Sequence, residues 1–292
     1  MTLPRITVVT PSFNQGRFLE QTILSVLGQC YDNLEYIIID GGSTDGSVDV
    51  IRRYENKLFY WTSEKDGGQA EALNKGFARA TGDILCWLNS DDFFLPGILK
   101  TVTTELSKGA DLIYGNCLSF SAEGGRCLVN RTPSHNPQLL ALVDYIVQPS
   151  SFWTRFLWEK TGELNAGLHY AFDWDWYLRA AKAGEFLKSD VLYSAYRFHS
   201  AHKSGIGGDA RTQEIYRVAS THGDPSVRRH YEFCMKHLTG LRAYEIWRLR
   251  LKGRGIQSAD RLARWIVPAL WKLPAEIDFS KLRQCMGMLG CV

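Results

Sequence analysis

Asp83-Ile84-Leu85-Cys86-Trp87-Leu88-Asn89-Ser90-Asp91-Asp92 is the stretch that most limits what this chain can become. An apolar run of strand length stops at a polar tetrad. A strand covered on both faces of a parallel sheet reads as such a run, without alternation. The carboxyl ends of these strands form the edge where open α/β sheets take their ligands. Two adjacent carboxylates at that edge repel each other unless a positive group lies beside them, and a divalent cation is the usual partner. The ordinary alternative is a helix N-cap with one extra acid, since Pro96 stands where another helix is expected to open. The stretch by itself leaves both open.

The residues before it supply the rest of a sheet. Arg5 to Thr10 is β-branched and apolar and predicts a first parallel strand, followed by the loop Pro11 to Gly16. Phe18, Ile23, Val26 and Leu27 share one face of a helix that ends near Gly28. Glu35 to Asp40 predicts a second strand with a carboxylate at its end. In the turn Gly41 to Gly46, Ser43 or Thr44 can cap a helix carrying Val48, Val50 and Ile51. Leu58 to Thr62 predicts a third strand. Asp66-Gly67-Gly68-Gln69 leads into a helix with Ala70, Leu73, Phe77 and Ala80, closed by Thr81-Gly82. Strands alternating with helices in this order mean a mainly parallel sheet with helices on its faces, an α/β fold.

Beyond Leu106 the pattern changes. Asp111 to Tyr114 predicts a short strand, and Cys117 to Phe120 with Arg126 to Val129 predicts a hairpin around Glu123-Gly124-Gly125. Gln148 to Trp153 and Val191 to Phe198 read as strands, and Asp173 to Ala183 as a helix. The glycine loop Gly205 to Gly208 is the expected boundary. The division is an α/β domain over 1–210, changing pattern between 1–110 and 111–210, and a basic helical extension over 211–292. That extension interleaves Arg242, Arg248, Arg250, Lys252, Arg254, Arg261, Arg264 and Lys272 with Trp247, Leu249, Leu251, Trp265, Ile266, Leu270 and Trp271. Such helices either lie on a membrane surface or pack their tryptophans on the protein. No nucleic-acid recognition motif accompanies the charge.

Composition sets further bounds. The 292 residues carry a net charge of only +3, so the whole molecule is not built as a polyanion binder. Seven scattered cysteines, with no Cys-x-x-Cys, fit free thiols in a reducing cytosol. Neither a secretory signal nor a run of about 18 apolar residues is expected. The expectation is a cytoplasmic protein, peripheral at the inner membrane face if the basic helices touch lipid.

Asn14, Asp40, Asp66 and the Asp91/Asp92 pair converge on one sheet edge. A nucleotide can lie across it, with Asp40 accepting from a ribose hydroxyl or base N–H and the acidic pair holding a metal on the diphosphate. Neither Gly-x-Gly-x-x-Gly nor a Walker lysine loop occurs after the first strand, which disfavours dinucleotide dehydrogenases and P-loop enzymes.

Thr10-Pro11-Ser12-Phe13-Asn14, the run Ile39 to Gly46 (Ile-Asp-Gly-Gly-Ser-Thr-Asp-Gly), the run Asp66 to Gly76 (Asp-Gly-Gly-Gln-Ala-Glu-Ala-Leu-Asn-Lys-Gly), Ala80-Thr81-Gly82-Asp83 and Leu88-Asn89-Ser90-Asp91-Asp92 follow one another at these strand ends. In that order, from Ile6 to about His199, the chain resembles family 2 glycosyltransferases of the GT-A fold. The resemblance implies an inverting transferase using a nucleotide-sugar donor, a UDP-sugar first. It implies donor contacts at Pro11, Ser12, Asn14, Asp40, Asp66, Gln69, Asn74 and Asp91. The family's frequent second acid after Asp40 is Gly41 here. Asp91, with Asp92 next, stands in the metal-binding DxD element, whose usual first position is Asn89, and Mn²⁺ or Mg²⁺ suits such oxygen ligands. Asp173 matches the general base, with Asp175 behind it. His199, and less closely His202, resembles a late histidine that approaches the metal or diphosphate; a core or surface histidine is the equal alternative.

The segment Tyr114 to Tyr170 is expected to build the acceptor side. Phe120, Tyr145, Phe152, Trp153, Trp158, His169 and Tyr170 can stack on a sugar, most of them serving as core. The acceptor is a saccharide or lipid-linked saccharide, as in cell-surface polysaccharide assembly. Two other readings stay open. A sugar nucleotidyltransferase would want a basic phosphate loop after the first strand, and nothing basic precedes Arg17 there. A non-catalytic sugar- or nucleotide-binding module would keep the fold and lose turnover.

Overall fold

The computed structural model describes residues 3–125, 127–200, 202–203, 207–253, 267 and 270–290. The chain divides into two compact units, Met1–His135 with Tyr145–His202, and Asn136–Asp144 with Lys203–Val292.

The first unit is organised on a nine-stranded mixed sheet among the described residues. Strands β1 (Ile6–Ser12), β2 (Leu34–Asp40), β3 (Tyr60–Ser63) and β4 (Ile84–Trp87) run parallel in the order β3-β2-β1-β4. Helices α1 (Gly16–Leu27), α2 (Ser47–Tyr54) and α3 (Gln69–Phe77) connect them. Every residue of β1 and β4 is buried, the pattern of strands covered on both faces. Their polar members are paired: Thr7 Oγ1 donates to Glu35 Oε1 (2.7 Å) and Thr10 Oγ1 meets Tyr36 Oη (3.1 Å). Pro11 sits past the point where β4 stops pairing with β1, so its missing N–H leaves no partner unmet.

Amphipathic spacing seats the helices. Phe18, Leu19, Thr22, Ile23 and Val26 of α1 are buried, as are Ala70, Leu73 and Phe77 of α3. Gly76 brings α3 onto the sheet, because a Cβ there would lie 2.4 Å from Val9 Cγ1.

Beyond β4 come β5 (Phe93–Phe94), α4 (Ile98–Leu106), β6 (Leu112–Ser121), β7 (Cys127–Asn130), β8 (Ser151–Thr154), and β9 (Phe186–Phe198). The short strand and hairpin arm expected at 111–120 are one ten-residue strand, β6. Gly115 and Asn116 lie between the two expected segments, and the chain runs through them as a bulge against β9. Gly115 leaves room for Tyr193, whose Cδ2 would be 2.6 Å from an added Cβ. Asn116 replaces ladder bonds with its side chain, donating to Asp190 O (2.7 Å) and accepting from Thr132 N–H (3.0 Å). Arg126, expected to open the second hairpin arm, lies outside the described residues. β8 pairs antiparallel with β4 and β6, and β9 pairs parallel with β6.

The second unit is helical: α5 (Pro137–Leu142) belongs to it, followed, after α6 (Arg155–Thr161) and α7 (Phe172–Ala180) of the first unit, by α8 (Gly208–His222), α9 (Pro225–Lys236), α10 (Leu238–Gly253) and α11 (Phe279–Met288). Asn136, Asp224 and Asp278 cap α5, α9 and α11. Val218, Val227, Tyr231, Cys234, Leu282 and Cys285 form its buried centre. His230 donates from Nδ1 to Ser226 O (2.7 Å) and accepts at Nε2 from Asp278 N–H (2.9 Å), which joins α9 to the start of α11. Gly205 and Ile206 of the glycine loop, and Arg254, Arg261, Arg264, Trp265 and Ile266, lie outside the described residues. No described helix is long and apolar enough to cross a membrane.

Candidate functional site

The parallel register sets three strand ends abreast, pairing Ser12 with Asp40 and Asp40 with Ser63. On the other flank Val9 pairs with Trp87, so Asn89 to Asp92 continue past the same edge.

Asp40 is fully buried. Its Oδ2 accepts from the amides of Gly42 (3.1 Å) and Ser43 (2.8 Å) and from Ser63 Oγ (2.7 Å). Its Oδ1 accepts from Ser43 Oγ (2.6 Å). The carboxylate therefore folds the glycine turn around itself. That turn holds Asn14, whose N–H donates to Ser43 Oγ (2.8 Å) and whose Oδ1 accepts from Thr44 N–H (2.9 Å). Asn14 has φ 52°, a left-handed conformation that Asn tolerates. Ser12 Oγ is buried at this edge with no hydrogen-bond partner among the described residues, an orphaned polar atom of the kind a ligand satisfies.

Asp66 reaches the same edge from β3. Burial pushes its carboxyl above the usual range, against the pull of the Gly68 N–H it accepts at 2.9 Å. A Cβ on Gly41 would lie 2.9 Å from Asp66 Oδ2, so this chain's glycine at Gly41 makes room for Asp66.

The two acids after β4 have different surroundings. Asp92 is 1 % exposed, accepts the Arg197 N–H at Oδ1 (3.0 Å), and is raised well above the carboxylate range by burial and by Asp91. Asp91 keeps a 19 % exposed side chain. Its Oδ2 lies 3.0 Å from His199 Nε2, while Arg17 Nη2 lies 3.2 Å from His199 Nδ1. A guanidinium only donates, so Nδ1 accepts and Nε2 carries the proton given to Asp91. His202 turns back to the His199 carbonyl at 2.5 Å.

Several residues that no sequence motif singled out brace this turn. Arg197 donates through Nε to Asp91 O (2.8 Å) and through Nη2 to Gln21 Oε1 (2.5 Å). Its guanidinium carbon lies 4.5 Å from the Phe18 ring centroid and 4.8 Å from that of Phe120. Thr22 Oγ1 donates to the carbonyls of Ser90 (3.0 Å) and Asp92 (2.7 Å). Asn89 accepts from Gln69 Nε2 (2.7 Å) and donates to Gln148 Oε1 (3.1 Å), and Gln148 in turn donates to Trp87 O (2.8 Å). Arg17 and His199 stand 182 positions apart, a distance no local pattern spans.

Of the remaining expected residues, Asn74 exchanges two hydrogen bonds with the Leu164 backbone (2.9 and 3.0 Å). Phe172 packs on Trp87 with ring centroids 6.3 Å apart, which sets the first turn of α7 beside the end of β4. Asp173 lies in that turn and accepts the Trp174 N–H (2.8 Å). Asp175 pairs with Arg179 (3.0 Å), whose other nitrogens bond Thr161 O and Glu163 O (both 2.8 Å). His169 lies over Gly68, 3.5 Å from where a Cβ would stand, and its ring is 4.8 Å from Tyr170. Phe152 and Trp153 are fully buried.

Among the described residues no three His, Cys, Asp or Glu side chains gather as a metal site. Asp91 Oδ1, however, has no hydrogen-bond partner there. Mg²⁺ in phosphate sites is held by one or two carboxylates with phosphate oxygens and water. The donor set fits a cation that shares its ligands with a diphosphate, not one caged by protein alone.

The family model described as Glycosyl transferase family 2 matches residues 7–171. Uncharacterized glycosyltransferase Rv1514c of Mycobacterium tuberculosis is 34% identical over 234 residues, covering 79% of this chain and 86% of that one. Among solved structures, S. aureus TarS 1-349 in complex with UDP aligns at TM-score 0.62 and 15% identity, over 80% of this chain and 72% of that chain. Mannosyltransferase PcManGT from Pyrobaculum calidifontis, in complex with GDP-Man and Mn²⁺, aligns at TM-score 0.58 and 17% identity, over 99% and 87%. At these identities the two structures speak for the fold, and it is the GT-A arrangement.

Proposed function

Since this chain belongs to glycosyl transferase family 2 and is a glycosyltransferase, we propose that it moves a sugar from a nucleoside-diphosphate donor, a UDP-sugar first, to a hydroxyl of a saccharide or lipid-linked saccharide, with inversion at the anomeric carbon. Cell-surface glycan assembly is the setting this reading favours. The observation that carries it is Asp91: a partly exposed carboxylate past β4, held from behind by His199 with its Oδ1 open.

In this reading the nucleoside lies along Ser12, Asn14 and the Asp40 turn. Its hydroxyls or base meet the orphaned Ser12 Oγ, and the buried network of Asp40 keeps the turn in shape without reorganisation during turnover. Asp66 and Gln69 border the sugar side, and Gln69 holds Asn89 in place. The diphosphate faces Asp91. Mn²⁺ or Mg²⁺, as bound in the PcManGT complex for Mn²⁺, would be held by Asp91 and would offset charge on the departing β-phosphate. Asp92, buried on the Arg197 backbone, keeps the turn rigid. His199 orients Asp91 through its Nε2–H. Asp173 takes the proton from the acceptor hydroxyl as it attacks from the face opposite the leaving group, worth on the order of 10²–10⁴ in rate. Asp175 holds Arg179 and, through it, the 161–163 loop.

The test is a panel of UDP- and GDP-sugars with Mn²⁺, read as donor hydrolysis and as transfer to simple saccharides. Slow metal-dependent hydrolysis that Asp91→Ala removes supports the transferase. Binding without turnover across the panel supports a non-catalytic module instead.

A further inference from the structure

Helix α10 is built inside out. Its buried face holds Leu241, Tyr244, Glu245 and Arg248, and the last two form an ion pair at 2.6 Å with each residue no more than 3 % exposed. Its outward face holds Ala243, Ile246, Trp247 and Arg250, the i, i+3, i+4, i+7 positions of one stripe, with Leu249 beside them. Ile246 is 53 % exposed, Trp247 43 % and Leu249 46 %. A helix on the surface of a water-soluble unit normally shows the reverse order. Leu270, 67 % exposed, follows the same pattern, next to Trp271, which packs against Gly240 and Tyr244. Every large exposed hydrophobic residue described in the helical unit falls in this one region.

Its charge narrows the partner. Residues 238–272 contain eight Lys or Arg against two acids, Glu245 and Asp260, a net +6. Glu245 is turned inward onto Arg248, and Arg242 is held by Asp209 (2.9 Å). Arg250 and Lys272 are exposed and form no ion pair among the described residues. A second copy of this chain would meet the face with the same sign of charge, which disfavours a two-fold contact here. A nucleic acid would answer the charge but leave the Ile, Trp and Leu side chains without apolar cover. An anionic bilayer answers both: acyl chains accept the apolar stripe, Trp sits at the boundary and Arg and Lys reach the headgroups.

We propose that the outward face of α10, with Ile246, Trp247, Leu249 and Arg250, docks this protein on an anionic lipid surface. The proposal is independent of the assigned reaction, because it concerns the helical unit alone.

Sedimentation of the full-length chain with vesicles tests it. Phosphatidylcholine vesicles with a minority of phosphatidylglycerol should carry the protein down, and phosphatidylcholine alone should not. High salt should release it, since anionic attraction is screened. The variant Trp247→Ser with Ile246→Ser should lose at least about tenfold in partitioning, with its melting temperature and donor hydrolysis kept. A milder Trp247→Phe should retain most of the binding and guards against a folding defect. Wild-type protein that stays in the supernatant with phosphatidylglycerol vesicles overturns the proposal. So does a folded Ser variant that binds as wild type, or a concentration-dependent dimer by light scattering that the same substitutions abolish. Donor hydrolysis in the same samples reports on the reaction separately, so failure of one reading is not failure of the other.

Discussion

His199 Nε2 donates its proton to Asp91 Oδ2 at 3.0 Å, and it does so because Arg17 occupies the other ring nitrogen at 3.2 Å. The imidazole thus fixes where the one open carboxylate oxygen of the acidic turn points. Orienting partners of this kind typically change metal affinity or activity by 10- to 100-fold when removed, a figure of about that order here. His199→Ala should lower both Mn²⁺ affinity and transfer rate to that degree, while His199→Gln, which keeps a donor, should lose less. Titration calorimetry with Mn²⁺ and UDP, beside initial rates, checks it; equal losses in the two variants would mean the ring acts by bulk alone.

Asp173→Asn should remove transfer by roughly 10²- to 10⁴-fold and leave nucleotide affinity near wild type. Its Oδ1 accepts the Trp174 N–H at 2.8 Å, a contact the amide oxygen of asparagine can keep. Kd for UDP measured with the rate separates the roles. Parallel loss of both would assign Asp173 to holding the α7 turn.

Gly41→Asp should destabilise this chain by about 1–3 kcal/mol, because the added Cβ meets Asp66 at 2.9 Å. The penalty should shrink when Asp66 is changed to Ala in the same chain, a coupling of at least about 0.5 kcal/mol. Urea melts of the four proteins close the cycle. Strict additivity would show that the two positions do not meet.

Arg197→Met should cost about 2–3 kcal/mol, since the Asp91 carbonyl and Gln21 lose a charged donor inside a ring of Phe18, Phe93 and Phe120. Arg197→Lys keeps the charge but not the fork and should recover part of the loss. Thermal melts supply the measurement. A methionine variant as stable as wild type would show that the guanidinium braces nothing.

The parallel block was legible because β1, β2 and β4 are apolar runs and each of the four strands ends on or is followed by Asn or Asp (Asn14, Asp40, Asp66, Asn89), and strand ends are where such folds keep their chemistry. The bracing of the acidic turn was not. Arg17, Gln21, Thr22, Gln148 and Arg197 come from α1, from the turn before β8 and from β9, and only the folded chain brings them together. Asn116 shows a second limit: it fell between two expected strands, and a bulge with side-chain hydrogen bonds carries one strand through it. Gly41 shows a third. Its absence of side chain looks like a missing contact until Asp66 is seen in the space.

Gly76 has a reach beyond its own position. Because α3 rests on Val9 with no methyl between them, the height of its opening residue over the sheet is inherited from that contact about two turns downstream. Gln69 grips Asn89 from that height. A saturation screen scored on turnover should therefore mark Gly76 among its most sensitive positions, though it is buried between α3 and the sheet, against Val9 and Ile39.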